Sequence, residues 1–218
     1  MRIQFLGHSS FLLTTDAGTR IVTDPFDPAK YQDSLNYRPF SEPADIVTIS
    51  HEHSDHSAAH IISGSPIIIR GNGKFVASEV EFLGVETYHD EAHGAERGRN
   101  TVFVIGVDGL RIAHMGDLGH VLSADQAAEI GSVDVVLIPV GGYYTIDAPK
   151  AAKVAEQIAA KIVIPMHYKT DKCSFPISGV EDFLRDKTNV IHQGNSVIEI
   201  RKENLPPEQQ IVVLDYAL

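Results

Sequence analysis

The sequence predicts an α+β fold: two β-sheets packed face to face with helices on the outside, a four-layer αββα sandwich. Three observations predict it. Short strand-like runs split by Gly, Asp and Ser open the chain, strand–helix alternation occurs twice in the second half, and metal-binding residue types follow strand after strand. No Pro/Ser-rich linker, low-complexity tract or charge block divides the 218 residues, so one domain spanning 1–218 is expected.

Taken in order, strands are expected at Arg2 to Leu6, Phe11 to Thr15 and Arg20 to Thr23, then at Ile46 to Ser50, where IVTIS has the apolar character of a buried strand. That strand runs directly into His51. A helix is expected from about Asp55 to Ile62, which makes the His-rich run a strand-to-helix loop. Further strands fall at Ile67 to Arg70, Val85 to Tyr88, Thr101 to Val107 and Leu110 to His114, the last pair joined across the Asp108-Gly109 turn. A helix from Ser123, its N-cap, to Ile130 leads to the strand Val133 to Val140. A second helix, from about Ala148 to Ala160 with Pro149 tolerated in its first turn, leads to the strand Lys161 to Pro165 and so to His167. A helix at 178–186 and strands near 190–200 and 210–215 complete the set.

Composition excludes several function classes. The single Cys173 rules out a disulfide framework and a multi-thiolate metal cage, so metal ligands must be His and carboxylate, and a reducing cytoplasm is the expected location. A net charge of -11 argues against a broad nucleic-acid footprint. The N-terminus reads as mature structure, no apolar run approaches the ~18 residues of a membrane span, and no membrane partner is expected.

Four ligand-type side chains fall within SHEHSDH. His51 and His53, two apart in an extended segment, point to the same side and can share one ion. Asp55 and His56 diverge from one another and more easily serve a second ion. Two coordination shells need further His donors and a bridging carboxylate. His89, Asp117 and His167 qualify, each directly following a strand.

The strings SHEHSDH, YHDEAHGAERGRN, HMGDLGH, PVGGYYTID and IPMHYK, with the early GHSSF and VTDPF, resemble the motifs of the metallo-β-lactamase superfamily. More narrowly the chain is similar to its small Zn-dependent hydrolases akin to ascorbate-6-phosphate lactonase. The resemblance implies the αββα sandwich of that fold and one ion held by His51, His53 and His89. It implies a second held by Asp55, His56 and His167, with Asp117 bridging and Asp55 and Asp117 serving catalysis. His93, four residues beyond His89, is the alternative third ligand of the first ion. His8 is expected to line the cleft or support a ligand from behind. Two divalent ions, Zn before Mn, Fe or Co, would generate a bridging hydroxide to attack a lactone-type carbonyl or a phosphodiester in a small, anionic or oxyanion-forming substrate.

Arg97, Arg99, Lys169, Tyr143 and Tyr144 stand near the motif loops, where they can contact an anionic group or a carbonyl oxygen or equally serve as solvated loop residues, and Tyr144 and Lys169 are the preferred substrate-binding candidates. His60 reads as a surface histidine, His114 as a core or supporting one, and His120 and His192 carry no signal. The string DEAH at 90–93 lacks the phosphate-binding loop of a helicase, and His51-Glu52 lacks the second His of a zinc protease. The competing functions are a diiron redox protein of the same fold, whose relatives carry Glu in place of His53, and a non-catalytic metal-binding module. Oligomeric state leaves no trace in the sequence.

Overall fold

The computed structural model describes residues 1–218 apart from Gln32. The strands are β1 (Arg2–Gly7), β2 (Ser10–Thr14), β3 (Arg20–Thr23), β4 (Ile46–Ile49), β5 (Ile67–Arg70), β6 (Gly73–Ala77) and β7 (Val80–Tyr88). They continue as β8 (Arg99–Val107), β9 (Leu110–His114), β10 (Val135–Pro139), β11 (Ile162–Met166), β12 (Val190–His192), β13 (Val197–Glu199) and β14 (Gln210–Val213). The α-helices are α1 (Ala124–Ile130), α2 (Ala148–Ile158) and α3 (Val180–Leu184).

One sheet runs β13-β1-β2-β3-β4-β5 and the other β12-β14-β11-β10-β9-β8-β7-β6. Because side chains alternate across a strand, Leu13, Ile21 and Ile46 join the buried cluster between the sheets, together with Phe82, Phe103, Ile112 and Leu137. Their neighbours Leu12, Val22 and Val47 face outward and pack with Phe26, Leu35 and Tyr37 in a second cluster. Each fully buried Phe or Leu in these layers stabilises the fold by roughly 1.5–3 kcal/mol. α1 and α2 cover the eight-stranded sheet against β7 and β10. The six-stranded sheet is covered by loops and by two short 3-10 turns, Pro28–Lys30 and Ala59–Ile61.

The caps explain where the helices start. Ser123 Oγ accepts from the Gln126 amide while the Gln126 side chain accepts from the Ser123 amide, and Asp147 accepts from the Lys150 amide ahead of Pro149. Among the described residues no helix is long and apolar enough to cross a membrane.

Three expectations need correction. No α-helix spans 55–62: the His56 amide closes a turn onto the His53 carbonyl, and the Ala58 amide is drawn away to the Pro25 carbonyl, which leaves a single 3-10 turn. β7 begins at Val80 rather than Val85 and pairs with β6, a strand not anticipated. Their hairpin turns on Ser78 (φ 47) and Glu79 (φ 64), left-handed residues without the Asn-Gly signature such turns usually carry. The segment 190–200 holds two strands of different sheets: β12 pairs with β14 and β13 with β1.

Candidate metal centre

Six strand ends deliver polar side chains to one edge of the sandwich. His8 follows β1, Asp24 follows β3, His51 follows β4, His89 follows β7, Asp117 lies three residues beyond β9 and His167 follows β11. Left-handed backbone at His8 (φ 55), Asp24 (φ 39) and His167 (φ 49) turns each chain sharply at the site. Such conformations cost about 1–3 kcal/mol each and persist where surrounding contacts enforce them.

Asp117 stands at the centre. Its Oδ2 lies 3.2 Å from His56 Nε2, 3.2 Å from His89 Nε2, 3.4 Å from His167 Nε2 and 4.0 Å from His51 Nε2. Asn100 sets this position, accepting from the Asp117 amide at 3.0 Å and donating to Thr87 Oγ1 and the Met115 carbonyl. The two glycines of HMGDLGH allow the close approach. A Cβ on Gly116 would sit 2.4 Å from Asn100 Oδ1, and one on Gly119 would sit 2.2 Å from the His89 carbonyl carbon.

Donor atoms of His51, His53 and His89 lie within 4.8 Å of one another, and those of His8, His56 and His167 form a second such group. Asp55 borders the second group, its Oδ2 3.7 Å from His56 Nε2 and accepting from His8 Nε2 at 3.3 Å. His8 is thus both the support behind Asp55 and a nitrogen within reach of the same centre. His93 is exposed and packs edge-on against Tyr88, away from both groups.

Asp24, which the sequence reading did not single out, organises the imidazoles from beneath. Its Oδ2 accepts from His56 Nδ1 at 3.0 Å and from Ser50 Oγ, and its Oδ1 accepts from the Ser50 amide at 2.8 Å. Ser50 Oγ in turn accepts from His51 Nδ1 at 2.9 Å. One carboxylate therefore keeps a proton of both His51 and His56 on Nδ1 and turns both Nε2 atoms toward the centre, 4.0 and 3.2 Å from Asp117 Oδ2, the support that metal-binding imidazoles require. A polar residue at the buried end of a strand, in VTDPF, was the available signal.

The site's charges follow from this packing. Burial would raise the Asp117 carboxyl, but His167 and His56 outweigh it and hold it well below the usual range. Burial would lower His56, yet Asp117 and Asp55 hold it well above its ordinary value. His51 is pushed down to about 3 by burial and by the neighbouring His56 charge, and His8 to about 4 by burial and His167. For Asp55 burial is again outweighed, by His56 and His8, and its carboxyl stays ionised.

The residues fit divalent metal. His56 Nε2 and Asp117 Oδ1 are buried without a hydrogen-bond partner, and the 3.2 Å approach of His56 Nε2 to Asp117 Oδ2 lacks hydrogen-bond geometry. Buried polar atoms left in this state cost about 1–3 kcal/mol each, a penalty that coordination would remove. Imidazole and carboxylate donors suit Zn, Mn, Fe or Co.

The centre opens into a cavity of about 340 Å³ lined by Tyr31, His53, Ser54, Asp55, His89, Glu96, Arg97, Asp117, Tyr144, His167 and Phe175. Tyr144 is where the sequence placed it. Lys169 is not: its ammonium donates to the Phe175 carbonyl at 2.8 Å on the surface, bracing the loop that carries Phe175. Arg99 pairs with Glu86, and Tyr143 is largely solvent-exposed. His114 is buried and donates from Nε2 to the Ser9 carbonyl. His120 braces the Tyr88 amide, and His60 lies exposed near Asp27.

A two-sheet sandwich that gathers His and Asp donors at one edge defines a class, and this chain belongs to it: the metallo-β-lactamase superfamily, through the family described as the β-lactamase superfamily domain, whose model matches residues 2–167. Within the class it is similar to metal-dependent hydrolases of the UPF0173 family. The relative from Pyrococcus horikoshii is 30% identical over 88% of this chain and 95% of its own length, and that from Carboxydothermus hydrogenoformans is 30% identical over 78% and 85%. Among solved structures, a Thermotoga maritima protein assigned to the Zn-dependent hydrolases of the metallo-β-lactamase superfamily is 38% identical, with a TM-score of 0.80 and 99% of each chain covered.

Proposed function

We propose that this chain is a metal-dependent hydrolase with a binuclear centre, acting on a carbonyl of lactone type or a phosphodiester in a small molecule. The observation that carries the reading is the single Asp117 oxygen ringed by four imidazoles from three separate loops at 3.2–4.0 Å, beside the 340 Å³ cavity that Asp117 helps to line. His51, His53 and His89 would hold one ion, Asp55, His56 and His167 the other, and Asp117 both. Two such ions supply an activated water at neutral pH and electrostatic stabilisation of charge developing on a substrate oxygen.

The chain's own residues do the rest. Asp24 and Ser50 hold His51 and His56 in the tautomer that exposes Nε2. Asn100 fixes Asp117 by its backbone, so the carboxylate is positioned before any ligand arrives. Asp55, ionised and bordering the cavity, accepts from His8 Nε2 at 3.3 Å, which holds its carboxylate beside His56 for the second ion. Tyr31, Tyr144 and Phe175 wall part of the cavity with aromatic surface.

The test is metal depletion and reloading, followed by a panel of lactones, thioesters, phosphodiesters and β-lactams. Hydrolysis should vanish on depletion, return with Zn or Mn, and be abolished in H51A and D117A. Wild-type rates after thorough chelation would refute the reading.

A further inference from the structure

We propose that Arg97 is the anion-recognition residue of the cleft, and that the substrate is a small monoanion whose charged group lies apart from the reacting centre and whose apolar body packs on an aromatic wall. The inference rests on the hydrolase reading for the reaction and on the cavity alone for the recognition.

Among the described residues Arg97 is the one Lys or Arg that lines the cavity shared with Asp117 and His167. The chain's net charge of -11 repels anions at long range. At physiological salt that repulsion is screened beyond ~8 Å, so attraction of an anion depends on a cation within the cleft. The Arg97 guanidinium lies over the Tyr144 ring, 5.9 Å from its centroid, and its polar contact is an exposed Glu96 carboxylate at 3.9 Å. Such an exposed pair is weak, which leaves the forked donors available for a carboxylate or phosphate.

The Arg97 backbone is also fixed in advance. Asp90, next to His89, accepts from the amides of Ala92, Gly94, Glu96 and Arg97 at 2.7–3.0 Å, closing the loop into a clamp. The loop that supplies His89 thus also presents Arg97, and less ordering is left to be done on binding.

In the same cavity Phe175 packs edge-on to Tyr31 and Tyr144 at 6.2 and 5.8 Å between ring centroids. This wall suits an apolar or aromatic body. The volume of about 340 Å³, near the bottom of the roughly 300–1,000 Å³ range of small-molecule pockets, suits a small ligand. Beyond Arg97 the adjoining space is bordered by Asp90, Glu91 and Asp147 and by Lys150, whose ammonium is paired with Glu91 at 2.8 Å, so acidic groups outnumber basic ones there.

The experiment has a binding arm and a turnover arm. In the first, metal-depleted protein is titrated calorimetrically with benzoate and with its neutral isostere benzamide. Wild type should prefer benzoate by about tenfold or more, R97A should lose the preference, and R97K should keep part of it. Equal binding of the two probes, a preference surviving in R97A, or no saturable binding of benzoate would overturn the proposal. In the second, metal-loaded protein hydrolyses p-nitrophenyl butyrate and mono-p-nitrophenyl glutarate, which share a leaving group. R97A should raise KM for the glutarate ester alone, with kcat nearly unchanged. Benzoate recognition without metal-dependent hydrolysis of either ester or of the wider panel would leave the anion site standing and the hydrolase reading refuted. Hydrolysis of both esters indifferent to R97A would do the reverse.

Discussion

Replacing Asp24 by Asn tests how one buried carboxylate governs two imidazoles. In the native site Oδ1 takes the Ser50 amide, and Oδ2 takes Ser50 Oγ and His56 Nδ1. An Asn side chain must place its NH₂ at one of these positions. Facing the Ser50 amide, it sets two buried N–H groups against each other, an unsatisfied contact that costs about 1–3 kcal/mol of stability. Facing His56, it forces that ring to accept at Nδ1 and carry its proton on Nε2, the atom aimed at Asp117. Loss of such a support lowers metal affinity by roughly 10–100-fold, or about 1.4–2.7 kcal/mol. D24N should therefore show weakened metal binding in a chelator-competition titration, with circular dichroism confirming the fold. S50A, which breaks only the relay to His51, should show a smaller loss. Metal affinity and unfolding midpoint both matching wild type in D24N would refute the reasoning.

Two further outcomes follow from the loops. G119A puts a methyl group within 2.2–2.3 Å of His89 and Asp90 backbone atoms that cannot swing aside, and should lower stability in urea unfolding by roughly 1–3 kcal/mol or more. In G106A the nearest atom is 3.6 Å away, and its midpoint should stay near wild type. For Asp90, burial raises the carboxyl but bonds from the Arg97, Gly94, Glu96 and Ala92 amides outweigh it and hold it below the usual range. A carboxyl depressed by folding contributes stability above its unfolded pKa of about 3.9 and loses it as pH falls through the folded value. Wild type should thus exceed D90N at pH 6, with the gap closing toward pH 3, and a gap independent of pH would count against the clamp.

The candidate donors were legible because metal-binding side chains must be held by rigid elements, and His51, His89, Asp117 and His167 each stand just past an apolar run that reads plainly as a strand. The same reading missed Asp24, since an Asp before Pro looks like an ordinary turn residue until Ser50 and His56 are seen on either side of it. Lys169 failed for the opposite reason. Its charge and its place after His167 suggested the cleft, but the Phe175 carbonyl, brought near by tertiary packing, takes its ammonium. The helix expected at 55–62 yielded to competition for backbone amides, with Ala58 bonded to Pro25 instead of continuing a helical ladder. Arg97 could not be chosen over Arg99 from sequence. The two are two residues apart, and only the Asp90 clamp and the start of β8 decide that one lines the cavity and the other pairs with Glu86 on the surface.

Anomalous diffraction from crystals grown with excess Zn tests the account most directly. Two peaks are expected, each in contact with Asp117, one also touching His51, His53 and His89 and the other touching Asp55, His56 and His167. A single peak, or density away from Asp117, would contradict the claim that these scattered side chains form one centre for a pair of cations.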